Sequence, residues 1–254
     1  MWRRTLLGGA LVVCACPCQA RSSRVVESLG CILVDSEGEK LYPQGTATAS
    51  ATQGFNSSEA RLIARSGDRD FDMALAQTLL KLSQALQVSP GFAFYDDHDG
   101  YNAYATRLVR LNGADGTVLF GHGFLKKLMR GKESPEVAVA AVCAHEFGHI
   151  LQFKHNLQAK VRGGDRTVKR TELQADFFSG YFAGLRKKER PGYPAAVGAL
   201  AQYNVGDNSL NSPQHHGTPQ ERGAAFVRGY DVAYKESKPL GEAIQISINY
   251  ASRL

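Results

Sequence analysis

Past its first twenty residues, the 254-residue sequence holds only two cysteines, Cys31 and Cys143, and no apolar run long enough to cross a bilayer. It has no block of like charge and no internal repeat. These absences argue against a disulfide-stapled mini-domain, membrane-spanning helices and a solenoid. A Cys31–Cys143 pair and an inert buried thiol at Cys143 are both compatible with an oxidising compartment. Methionine is scarce too, at Met1, Met73 and Met129 only, and the positions matter below.

The first twenty residues, "MWRRTLLGGALVVCACPCQA", differ from the rest. A basic pair at Arg3 and Arg4, an apolar run from Leu6 to Cys16 and a small-residue exit at Ala20 read as an export signal. Cleavage near Ala20 and lipidation at Cys16, after a loose lipobox, both fit, and the expected location is the periplasm or cell envelope. Any membrane association would then come through a lipid anchor alone. Without residues 1–20 the chain keeps 28 of its 30 Lys and Arg against 24 Asp and Glu, so the net charge falls from +6 to +4. The basic residues are scattered, which argues against a nucleic-acid partner.

Residues 21–65 read as an N-terminal segment and linker, with a small, polar stretch over 42–58. A single domain follows over 66–254. Apolar residues at Phe71, Leu75, Leu79, Leu82 and Leu86 predict a helix, and three strand-like runs follow: "GFAFYDD", "YNAYATRLVRL" and "GTVLFG". A short helix is expected over "HGFLKKLMR". Ser134-Pro135-Glu136 then reads as a helix start, with the serine hydroxyl as cap. Further helices are predicted over "RTELQADFFSGYFAGLRKK", "YPAAVGALAQYN" and "TPQERGAAFVRGYDVAY". The fold class is α+β: a mostly helical domain with a small mixed or antiparallel sheet.

"HEFGHILQFKH", His145 to His155, lies inside the apolar helix that Pro135 opens. Histidines four apart project from one helix face, so His145 and His149 can bind one zinc ion. Glu146 then lies beside the metal, placed to take a proton from the attacking water and later give it to the leaving amine.

Two residues compete to be the third ligand. The spacing of His145, His149 and His155 matches the metzincin pattern, but Gln152 stands where that pattern has the glycine that lets the chain leave the helix. On a continuing helix His155 sits about 240° round and roughly 9 Å along from His149. Metzincins also need a methionine below the metal, downstream of the motif, and all three methionines precede it. In "ELQAD", by contrast, Glu172 and Asp176 share one face of a later helix. Glu172 can ligate zinc while Asp176 holds the far nitrogen of a zinc histidine. His155 is expected to be a solvent-facing helix-end residue.

H-E-x-x-H followed by E-x-x-x-D is the pattern of the gluzincin metallopeptidases. With "TELQADFFSGYFAG", "VGD" at Val205–Asp207 and "HGTPQERGAAFVRGY", the chain resembles the bacterial neutral zinc metallopeptidases. "YNAYAT" and the His216-to-Arg222 spacing are also similar to the HtpX-like metallopeptidases. The resemblance covers about residues 95–232, and the chain departs from the HtpX type in lacking transmembrane helices. It implies an exported zinc endopeptidase acting on peptides or unfolded proteins, with Arg222 supporting the site from a late helix. It also implies His216 beside the metal as oxyanion donor or as occupant of the open position, with His215 as its alternate. Asn102, Ala103 and Tyr104 would form an edge strand that pairs with substrate backbone. The alternative is a non-catalytic or latent relative that binds peptides, a chaperone-like protein of the envelope. No oligomeric state is implied.

Overall fold

The computed structural model describes residues 28–36, 39, 62–63, 65–98, 100–109 and 111–254. The expected export signal, its cysteines and the 42–58 linker lie outside the described residues. Six strands form one mixed sheet: β1 (Ser28–Leu29), β2 (Ile32–Leu33), β3 (Leu62–Ile63), β4 (Gly91–Tyr95), β5 (Ala103–Thr106) and β6 (Thr117–Gly121). Their order is β1-β2-β5-β6-β4-β3. The helices are α1 (Arg69–Leu86), α2 (His122–Met129), α3 (Pro135–His155), α4 (Leu157–Arg162), α5 (Lys169–Glu189), α6 (Ala195–Asn204), α7 (Pro219–Tyr234) and α8 (Leu240–Ala251). The α+β class is as expected. No described helix is long and apolar enough to cross a membrane.

Local chemistry sets most boundaries. The Asp68 carboxylate accepts from the amides of Asp70 and Phe71, both at 3.0 Å, and starts α1. Thr218 and Glu221 form a reciprocal capping box at the start of α7. At α3 the proline behaves as expected, but Ser134 does not. Its backbone is left-handed (φ 40°) and its hydroxyl makes no cap bond, so the proline ring and Glu136 mark that helix start instead.

Every residue of α3 from Val139 to Phe153 is buried, as a helix enclosed on all sides requires. It touches β5 and β6 as well as α5 and α6, so it runs through the middle of the molecule. Small residues allow its closest crossings. A Cβ added to Gly148 would lie 3.1 Å from Ala175 Cα on α5. The contact between α5 and α7 is tighter still. A Cβ on Gly180 would lie 1.8 Å from Phe226 O, and one on Gly229 would lie 1.8 Å from Phe177 O. Backbone touches backbone there, which fixes where α7 delivers its side chains.

The N-terminal hairpin is the least expected element. The sequence marks 21–65 only as an N-terminal segment and linker, yet β1 and β2 pair antiparallel about a turn at Gly30, whose φ is 70°. β2 then pairs parallel with β5, Ile32 opposite Ala105. The predicted edge strand therefore has neighbours on both sides, β2 and β6. That corrects the open edge assigned to Asn102, Ala103 and Tyr104. Leu33 makes the hairpin stick: it is buried in a small apolar cluster with Tyr95, Tyr104 and Leu119.

Candidate metal centre

The crossing at Gly148 and Ala175 brings two i, i+4 pairs face to face: His145 and His149 from α3, Glu172 and Asp176 from α5. Both acids are 0% exposed, so neither is a solvated helix charge. The two imidazole Nε2 atoms lie 3.1 Å apart. Glu172 Oε2 is 3.2 Å from that of His145, and Oε1 is 3.5 Å from that of His149. In a tetrahedron with bonds of 2.0 to 2.1 Å to nitrogen, ligand atoms are separated by roughly 3.3 Å. The three acceptors thus stand at zinc-ligand spacing.

Their protonation follows from what holds the far side of each ring. His145 Nδ1 is 2.8 Å from the Asp176 carboxylate, so it must carry the hydrogen. His149 Nδ1 is 2.8 Å from Gln152 Oε1. That amide is itself oriented, because its Nε2 donates to Thr171 O (2.8 Å) and Gln174 Oε1 (3.0 Å). Both Nδ1 atoms are donors, and in the neutral rings both Nε2 atoms point bare lone pairs at each other and at a carboxylate. Buried acceptors do not converge in this way without a positive species between them.

In the metal-free protein that positive species is a proton on His145. Burial disfavours a charged His145, but Asp176 and Glu172 overcome it and raise its pKa well above the ordinary value. Burial likewise opposes the Glu172 anion, yet His149 and His145 hold its pKa well below the carboxylate range. Arg222, reaching in from α7, donates to Asp176 through Nε and Nη2, both at 2.8 Å. One guanidinium offsets one of two buried carboxylates, and the other is matched by a proton on His145 or by a cation in its place. Among the described residues, the group that could hold a metal ion is Cys31, His145, His149 and Glu172, with ligand atoms all within 4.8 Å of one another.

Three of the four were legible; Cys31 was not. It comes from the hairpin turn and is half-buried. Its amide donates to Glu172 Oε1 at 3.1 Å. Burial, reinforced by Glu172 and Glu146, pushes its thiol up to about 12, so it is a neutral donor until a cation lies beside it. Both described cysteines are free.

Glu146 is 1% exposed and its Oε2 has no hydrogen-bond partner. Burial, opposed by His145 and assisted by Glu172, pushes this carboxyl up to about 8. A free oxygen on a carboxyl whose proton affinity burial has raised suits a base for an incoming water, once a cation beside it keeps the group ionised.

His216 stands apart from the ligand group. Its amide donates to Asp207 Oδ2 at 2.9 Å, while the ring of His215 lies 2.7 Å from Asp207 Oδ1. Burial works against the Asp207 anion, but the bonds from His216, His215 and Ser209 lower its pKa to about 2. A depressed carboxyl stabilises the fold above its unfolded pKa, near 3.9, and loses that effect as the pH falls through about 2. Asp207→Asn is therefore expected to melt below wild type at pH 6, with the gap narrowing between about pH 4 and 2. A gap that stays constant over that window contradicts the assignment.

His155 is exposed at the end of α3, away from the cluster. Gln152, passed over as a misplaced glycine, is buried and orients His149. Gln152→Ala is expected to weaken metal binding roughly 10 to 100-fold in competition with a chromogenic chelator, whereas His155→Ala leaves it unchanged. Equal losses would return His155 to the ligand set.

Comparison of the chain with protein-family models, with curated proteins and with solved structures finds no match.

Proposed function

We propose that the chain is a zinc-dependent endopeptidase of the gluzincin type, a zincin-like domain acting on peptides or unfolded proteins in the cell envelope. The observation that carries this reading is the convergence of His145, His149 and Glu172 at 3.1 to 3.5 Å beside the unpartnered Glu146 oxygen. Two imidazole nitrogens and a carboxylate, buried and arranged as they are, form a donor set that suits zinc. A zinc ion held there supplies the positive charge that acidifies a water and polarises a carbonyl.

The remaining work falls to the chain's own residues. Asp176 keeps the proton of His145 on Nδ1, and Gln152 does the same for His149, so both Nε2 lone pairs stay directed inward. Arg222 keeps Asp176 ionised and in place. Glu146 accepts a proton from the attacking water at its free oxygen and returns it to the departing amine. The loop of His215 and His216 is fastened by Asp207, and an imidazole from it would serve as a donor to the tetrahedral oxyanion.

The test begins with metal content. Zinc-loaded protein is expected to hold one equivalent by native mass spectrometry. Casein cleavage by it, or by a variant with an opened site, should stop with a chelator and resume with added zinc. A protein that binds no zinc overturns the reading.

A further inference from the structure

The metal centre is closed to solvent. His145 is 2% exposed, Glu146 1%, and His149 and Glu172 are both 0%. A substrate carbonyl cannot reach a centre in that state, and the element standing over it is the hairpin Ser28–Leu33. We propose that this hairpin is a built-in blocker that lies where an extended substrate would lie, with Cys31 supplying its sulfur as the fourth metal ligand. The proposal deepens the peptidase reading and rests on it for the meaning of the blocked cleft.

Four observations place the hairpin there. The Cys31 sulfur lies within 4.8 Å of the ligand atoms of His145, His149 and Glu172, and zinc accepts an N2OS set in closed tetrahedral form. The Cys31 carbonyl accepts from Ala105 N at 2.9 Å, so the hairpin occupies the edge of β5 by main-chain pairing. The turn is pinned at both amides: Gly30 N donates to Gln214 Oε1 at 2.8 Å, and Cys31 N donates to Glu172 Oε1 at 3.1 Å. Finally, Gly30 is required. A Cβ there would lie 2.2 Å from Glu172 Oε1, and the φ of 70° disfavours any side chain. A turn built this closely over a ligand carboxylate, with a thiol directed to the same point, has the form of a seated peptide.

The blocker is held by one sulfur, two turn amides, a short ladder and the buried Leu33, all of which a competing strand can replace. Opening needs no covalent change: the hairpin leaves, the fourth position becomes free, and β5 offers its edge. The substrate class follows from what the hairpin imitates: an extended segment recognised through its backbone along β5.

The test uses the full chain loaded with cobalt in place of zinc. Wild type is expected to show near-ultraviolet thiolate-to-cobalt absorption that Cys31→Ala loses while retaining the metal. A peptidyl hydroxamate serves as probe of the cleft. It is expected to bind Cys31→Ala and Gly30→Ala at least tenfold more tightly than wild type, since the first removes the sulfur and the Cβ of the second collides with Glu172 and unseats the turn. Without any variant, zinc should slow alkylation of Cys31, mapped by mass spectrometry, roughly tenfold or more, and a chelator should restore it. Loss of the band on substitution together with tighter hydroxamate binding supports the blocker even if neither variant cleaves casein; that failure would remove the peptidase reading alone. A cobalt protein without the thiolate band, or equal hydroxamate affinity in all three proteins, overturns the blocker, and casein cleavage by wild type at the variants' rate does the same.

Discussion

Glu146→Gln is expected to retain about one zinc ion per chain and to lower peptide hydrolysis by roughly 100 to 10,000-fold. The substitution keeps the volume of a fully enclosed side chain but removes its capacity to take up a proton. Retention of metal is expected because the residue is absent from the group of ligand atoms, which is complete without it. The measurement compares Glu146→Gln with wild type, each carrying Cys31→Ala so that the cleft is open in both. Zinc content and turnover are read on one sample. Wild-type turnover removes Glu146 from the role of base, and loss of zinc makes it a ligand instead.

The second large effect is on stability. Arg222 is 2% exposed, and its guanidinium reaches Asp176 twice, Gln202 Oε1 at 3.3 Å and Val205 O at 3.4 Å. Arg222→Ala would leave the Asp176 carboxylate buried with His145 as its remaining charge partner. The expected cost is about 3 to 5 kcal/mol in urea unfolding of the metal-free protein. Much of that is the penalty of the stranded anion rather than the worth of the pair. Combining Arg222→Met with Asp176→Leu should therefore destabilise less than Arg222→Ala alone. A double variant worse than the single one would show that Arg222 acts mainly by packing between α5 and α7.

The elements read most reliably from sequence are those whose pattern is local. Leu75, Leu82 and Leu86 repeat along α1 and are buried as that spacing requires, and Pro135 opens α3. His145, His149, Glu172 and Asp176 follow from i, i+4 spacing because a helix carries that geometry within itself. What escaped depends on contacts distant in sequence. Nothing around Cys31 marks it as a partner of Glu172, 141 residues on, and the hairpin is two short strands whose pairing needs β5. Gln152 was legible in principle, three residues after His149 on the same face, but a pattern expecting glycine there hid it. Helix α8 was missed too, although Ile244, Ile246 and Ile248 pack against the core.

The amide chain behind His149 runs further than the metal ligands do. Gln152 donates to Gln174, and Gln174 donates to the Ser247 hydroxyl on α8, 73 residues beyond it. During synthesis, at roughly 5 to 20 residues per second, the ribosome releases both histidines and Glu172 well before Arg222 and Ser247. For several seconds the nascent chain carries the candidate ligands with Gln152 and Asp176, before Arg222, which holds Asp176, and Ser247, which holds Gln174, have been made. The backing of the candidate site is therefore a property of the finished chain, complete only when residue 247 has been made and α8 has docked.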